Sequence, residues 1–131
     1  MRAKRLLREK KYGYWVGVPI PYLDNKGRKL KATQRKLWIR RAQKELTRCF
    51  GATTVIPAPG TNILEDGTVL YERGQELVLS ACRNRAHFLA RKQRIKLFAE
   101  RMAKGLRQGS VFILACPSDS FLLEITHGPS G

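Results

Sequence analysis

Two stretches of helical periodicity, each set between β-branched or apolar runs, constrain this chain more than any other feature. In the first, Trp38, Ala42, Leu46 and Cys49/Phe50 recur on one side of a segment that opens at Thr33, an expected N-cap, and stops at Gly51. In the second, about Arg85 to Arg107, the stripe is Phe88, Ile95, Phe98/Ala99, Met102 and Leu106, with Asn84 as cap and Gly109 beyond the end. A helix with a single apolar stripe buries one side only. It therefore needs a layer to lie on, and the flanking segments supply one as strands.

The first strand shows in Tyr12, Tyr14, Val16 and Val18, alternating with Gly13, Trp15 and Gly17 and closed by Pro19 and Pro21. Asp24-Asn25-Lys26-Gly27 reads as a turn. Thr53–Ala58, Thr68–Tyr71 and Glu76–Cys82 are strand-like, with Asp66-Gly67 and Gly74 as hairpin signals. Ser110–Cys116 is an apolar run between Gly109 and Pro117 and reads as a buried strand, which Phe121–Ile125 extends or follows. The order strand, helix, strand, strand, helix, strand predicts a ferredoxin-like βαββαβ α+β domain, with two helices on one face of a four-stranded antiparallel sheet. A looser α+β sandwich is the alternative. At 131 residues the chain is one domain in size. The expected division is a basic N-terminal arm over 1–11, a domain over 12–125 and a disordered tail over 126–131.

The run Phe50-Gly51-Ala52-Thr53-Thr54-Val55-Ile56-Pro57, followed by Gly60 and Gly67, resembles small uncharacterised bacterial proteins with a helix–FGG-T–strand signature, over about residues 12–116. Ala52 stands where that signature has its second glycine. The resemblance implies a ferredoxin-like core and carries no catalytic residue.

Charge sets the functional expectation. The formal net charge is +16, and residues 1–49 hold 16 basic against 3 acidic side chains. Such a concentrated field points to a polyanion. The residues expected to meet it are Arg2, Lys4, Arg5, Arg8, Lys10 and Lys11 on the arm, and Lys36, Arg40, Lys44 and Arg48, a ridge of step four along the first helix. Arg83, Arg85 and His87 would form an anion seat at the start of the second helix, and Trp15 offers a ring for base stacking.

Enzyme signatures are absent: no GxGxxG, P-loop, GxSxG or HExxH occurs. Cys82 with His87 is the single thiol–imidazole pair close in sequence, and Glu65-Asp66 reads as a turn before it reads as a metal site. Cys49, Cys82 and Cys116 lack zinc-ligand spacing and read as buried thiols of a reducing, cytoplasmic compartment. The apolar run Val111–Cys116 is too short to span a bilayer, and no apolar signal segment follows the basic start. The expected function is a non-enzymatic nucleic-acid-binding protein contacting phosphate backbone, RNA slightly before DNA, in a larger nucleoprotein complex. The alternatives are a small ferredoxin-like ribonuclease of the CRISPR-associated type and an assembly protein for an acidic protein partner. No cofactor, metal or membrane is expected, and a homodimer through sheet edges or faces is compatible with the fold.

Overall fold

The computed structural model describes residues 6–126. Its elements are β1 (Leu6–Ile20), α1 (Ala32–Phe50), β2 (Thr54–Pro57), β3 (Gly60–Ile63), β4 (Val69–Glu72), β5 (Glu76–Cys82), α2 (Arg85–Gly105) and β6 (Leu114–Thr126). A four-stranded antiparallel sheet runs in the order β2-β5-β1-β6, and β3 pairs with β4 in a separate two-stranded sheet.

The core forms where the periodicities meet. Tyr14, Val16, Val18 and Ile20 of β1 share a sheet face with Val78, Ser80 and Cys82 of β5, because Val16 pairs with Ser80 and Val18 with Val78. Ala42, Leu46, Cys49 and Phe50 of α1 and Phe88, Ile95, Phe98 and Met102 of α2 close over that face in one cluster. α1 ends at Gly51, which takes the positive φ of 115° that a side chain resists. α2 begins at Asn84, whose Oδ1 accepts the His87 N–H at 2.8 Å. α1 starts at Ala32 rather than after Thr33, and its N-cap Lys31 makes no side-chain cap bond.

The expected ferredoxin-like βαββαβ domain with a basic arm is corrected on three points. First, the described residues form six strands: the β3–β4 hairpin is a second sheet standing apart from the four-stranded one. Second, residues 6–11 are not an arm. They continue β1 and pair with β6, Leu7 opposite Ile125, Glu9 opposite Leu123 and Lys11 opposite Phe121. β5 ends at Cys82, opposite Tyr14, so beyond Tyr12 the two long strands form a ribbon of their own. Third, the last strand lies further along than the apolar run suggests. Val111–Ile113 is irregular, and β6 runs from Leu114 through Pro117 to Thr126. An edge strand tolerates Pro117, whose missing donor falls where the ladder is already broken. There the register slips between Tyr12 and Tyr14, and Gly13 N–H leaves β6 to donate to Arg83 O at 3.0 Å. The expected tail beyond Thr126, like Arg2, Lys4 and Arg5, lies outside the described residues.

Candidate functional site

The β3–β4 hairpin, of which the sequence reading gave the Thr68–Tyr71 strand and the Asp66-Gly67 turn but not β3, borders a polar site. β4 delivers Glu72 at its end, and Gly60 at the start of β3 pairs with it. Glu72 is 4% exposed. Its Oε2 accepts the backbone N–H groups of Tyr22 at 2.7 Å and Leu23 at 2.9 Å, just past the end of β1. Burying an ionised carboxylate is costly unless hydrogen bonds replace its water, and two charge-assisted bonds do so for one oxygen. Oε1 accepts none of the hydrogen bonds among the described residues. Glu72 lines a cavity of about 370 Å³ shared with Pro19, Pro21, Gln75, Gln108, Ser110 and Phe112.

The position of Glu72 is set by the Tyr22 segment. Arg35 of α1 donates from Nε to Pro21 O at 3.1 Å and from Nη2 to Gly74 O and to Glu76 Oε1, the last at 3.0 Å. Its guanidinium carbon lies 5.3 Å from the centre of the Tyr22 ring, and Lys29 Nζ is also 5.3 Å from that centre. Gly74 packs flat on Tyr22. Helix, β1 end and β4–β5 turn are thus locked together around the carboxylate.

A neighbouring cavity of about 670 Å³ shares Asn62, Gln108 and Ser110 with the first and is lined also by Asp24, Glu65 and Asp66. Asp24 is buried. Burial opposes its charge, but the N–H groups of Arg28 and Lys26, both at 2.9 Å, and the Arg28 guanidinium at 3.1 Å outweigh it and hold its pKa below the usual carboxylate value. Asp66 is lowered by its hydrogen bonds to Thr68 in the β3–β4 turn. Four of the chain's 10 acidic residues therefore line this double cleft, and among the described residues no lysine or arginine does. Arg28 at 3.1 Å and Arg107 at 3.6 Å compensate Asp24, so the acid left to face a ligand is Glu72 with Glu65 and Asp66, a lining that suits a cation better than a phosphate. Phe112 and Ile63, 73% and 66% exposed, give it an apolar rim.

The residues singled out from the sequence lie away from this cleft; of them the described hydrogen bonds join Arg83 to His87, Nε donating to Nδ1 at 3.4 Å. Arg8, Lys10 and Lys11 are exposed on the ribbon, and Lys36, Arg40, Lys44 and Arg48 are exposed along α1. Arg83 and Arg85 are exposed at the start of α2, while His87 turns inward. Its Nε2 sits 3.1 Å from Cys49 O, and its ring meets Phe50 edge-on at 5.1 Å. Burial and the nearby Arg83 charge lower its pKa against the pull of that carbonyl. Trp15 lies far along β1 from Glu72, its Nε1–H donating to Ser120 Oγ at 2.7 Å. No disulfide joins Cys49, Cys82 and Cys116, and burial raises the pKa of the first two. Among the described residues no three His, Cys, Asp or Glu side chains gather as a metal site would, and no helix is long and apolar enough to cross a membrane.

No family profile matches the sequence, and no curated protein matches it. Among solved structures, a phage SAM lyase in complex with S-methyl-5′-thioadenosine aligns with a TM-score of 0.57, over 92% of this chain and 92% of that one, at 9% identity. The likeness is one of fold. It corrects the expectation of a non-enzymatic nucleic-acid-binding protein, because the architecture is one that an enzyme uses and nothing in the described geometry is specific to nucleic acid. The physical reason is that net charge counts arginines without asking what they hold. Arg35 is spent on Pro21, Gly74 and Glu76, Arg94 on Glu45, Arg28 on Asp24, and Arg41 stacks on Trp38 at 4.7 Å.

Proposed function

We propose that the chain is a small lyase-like enzyme that takes S-adenosylmethionine, or a close sulfonium analogue, into the cleft around Glu72. The observation that carries this reading is Glu72, a buried carboxylate with one oxygen bound to backbone N–H groups, lining a cleft whose other acids without an ion pair among the described residues are Glu65 and Asp66, in an otherwise strongly basic chain. The fold shared with a SAM lyase supports it. The substrate carries a sulfonium and an ammonium, and desolvated carboxylates recognise such cations.

Methylthioadenosine is S-adenosylmethionine without its aminocarboxypropyl chain. Forming it breaks the bond between sulfur and that chain: the electron pair stays on sulfur as a neutral thioether, and the chain's own carboxylate oxygen supplies the pair that forms the new C–O bond at the released carbon, closing homoserine lactone. The positive charge on sulfur thus fades toward the transition state. A carboxylate set against the sulfur would stabilise the ground state more than the transition state. Glu72 therefore acts best on the ammonium, whose charge persists, holding the chain in place through Oε1 while Oε2 stays tied to Tyr22 and Leu23.

Calorimetric titration tests the reading. S-adenosylmethionine is expected to bind more tightly than methylthioadenosine, which lacks the ammonium, and Glu72→Gln should weaken it by roughly tenfold or more. Equal affinity for the two ligands, or an unaffected Glu72→Gln variant, would sink it.

A further inference from the structure

A second cavity lies at the other end of β1, about 20 Å from the cleft at roughly 3.3 Å per residue between Trp15 and Pro21. It measures about 680 Å³, within the usual range for small-molecule sites. It sits where the break in the β1–β6 register swings the ribbon against the end of α1. Tyr12 and Trp15 of β1, Phe50 at the end of α1, and Asp119, Ser120 and Phe121 of β6 contribute to its walls. Gly51 and Ala52 leave one side low: a Cβ placed on Gly51 would meet nothing within 4 Å.

Three features define what fits. Trp15 is fixed in orientation, since its Nε1–H is bound to Ser120 Oγ at 2.7 Å, and a preset ring is a stacking platform with little entropy left to lose. Ser120 accepts from Trp15 and still has its own hydroxyl proton to donate. Among the described residues Asp119 is the only charged one lining the cavity. Asp119 repels a phosphate, and the nearby cation Lys10, its Nζ 5.8 Å from the Tyr12 ring centre, is not among the described lining residues; a carboxylate instead accepts hydrogen bonds from hydroxyl or amino groups.

We propose that this cavity binds a flat, unphosphorylated aromatic ligand carrying hydroxyl or amino donors, of the class of a purine nucleoside, stacked on Trp15 and held by Asp119. The site is separate from the Glu72 cleft and stands or falls without it.

The test uses the full chain with Trp38→Phe, which leaves Trp15 as the single tryptophan, in 0.15 M salt so that the field of the distant lysines and arginines is screened. Adenosine is expected to quench Trp15 fluorescence saturably, and AMP to bind at least tenfold more weakly. Asp119→Asn and Phe121→Ala, both at exposed positions, should each weaken adenosine by roughly fivefold or more, with Glu72→Gln unchanged. Circular dichroism checks that each variant is folded. Should Phe121→Ala disturb the ribbon, Asp119→Asn alone decides. Absence of saturable quenching would overturn the proposal. So would AMP binding as well as adenosine, or loss of quenching in Glu72→Gln with retention in Asp119→Asn.

Discussion

Gly74→Ala tests how the candidate carboxylate is held in place. A Cβ built on Gly74 would lie 2.7 Å from Tyr22 Cε2 and 3.1 Å from Cγ, and closer still to Cδ2. Carbon atoms in good contact sit about 3.5–4.0 Å apart, so the ring must move by roughly 1 Å. It cannot move alone. Arg35 lies over it and bonds Pro21 and Gly74, and the Tyr22 and Leu23 N–H groups are both bound to Glu72 Oε2. Overpacking of this kind costs about 1–3 kcal/mol. For a chain of this length each kcal/mol lowers the melting temperature by about 4 °C, so thermal unfolding followed by circular dichroism should show a drop of about 4–12 °C. Gly109→Ala is the control, because a Cβ there meets nothing within 4 Å and the φ is not positive; its effect should stay within about 0.5 kcal/mol. If both variants melt together with the parent protein, Gly74 and Tyr22 do not hold the Glu72 segment as argued.

Three further outcomes follow from the same contacts. Asp24→Asn keeps an Oδ1 acceptor for the Lys26 and Arg28 N–H groups but sets an amide NH2 in place of the charged Oδ2 against the Arg28 and Arg107 guanidinium groups, and should destabilise by about 2 kcal/mol, read from chemical denaturation; the parent's own Asp24 contribution, present above the unfolded value of 3.8, should fade as pH falls below it through the lowered folded pKa. His87 has a folded pKa below its ordinary 6.5, so the unfolded chain takes up its proton first, and stability should rise with pH through the window just below 6.5; His87→Gln should flatten that slope in melting curves, and an unchanged slope would refute it. Deleting residues 1–11 strips β6 of its partner from Phe121 to Thr126, and limited proteolysis should then cut there while the core stays folded; protection of that stretch would mean the ribbon is held by something other than β1.

What the sequence made legible was the part of the fold dictated by local chemistry. The stripe Ala42, Leu46, Cys49 and Phe50 and the stop at Gly51 are set by helix geometry, and β5 matches the expected Glu76–Cys82 because its alternation is regular. What escaped depends on partners distant in sequence. Residues 6–11, two leucines followed by Arg8, Glu9, Lys10 and Lys11, show no apolar alternation of their own, so only β6, more than 100 residues later, makes them a strand. Pro117 looked like a terminator because its tolerance on an edge strand is invisible without knowing which strand is the edge. The same holds for the site. Glu72 is one carboxylate in Tyr71-Glu72-Arg73-Gly74, and nothing nearby marks it; its donors come from Tyr22 and Leu23, about 50 residues earlier. A signal did exist in the scarcity of acid. Glu65, Asp66 and Glu72 fall within eight residues of a chain whose field is positive, and the hairpin folds them against Asp24.

The most direct test of the central claim is to incubate the purified protein with S-adenosylmethionine and follow methylthioadenosine by chromatography, beside the Glu72→Gln variant. Methylthioadenosine should appear with the parent protein at a rate well above the buffer control, and fall by about a hundredfold or more in Glu72→Gln, the scale of losing an organising charged contact in a desolvated site. No methylthioadenosine from the folded parent protein, or equal rates from parent and variant, would contradict the account.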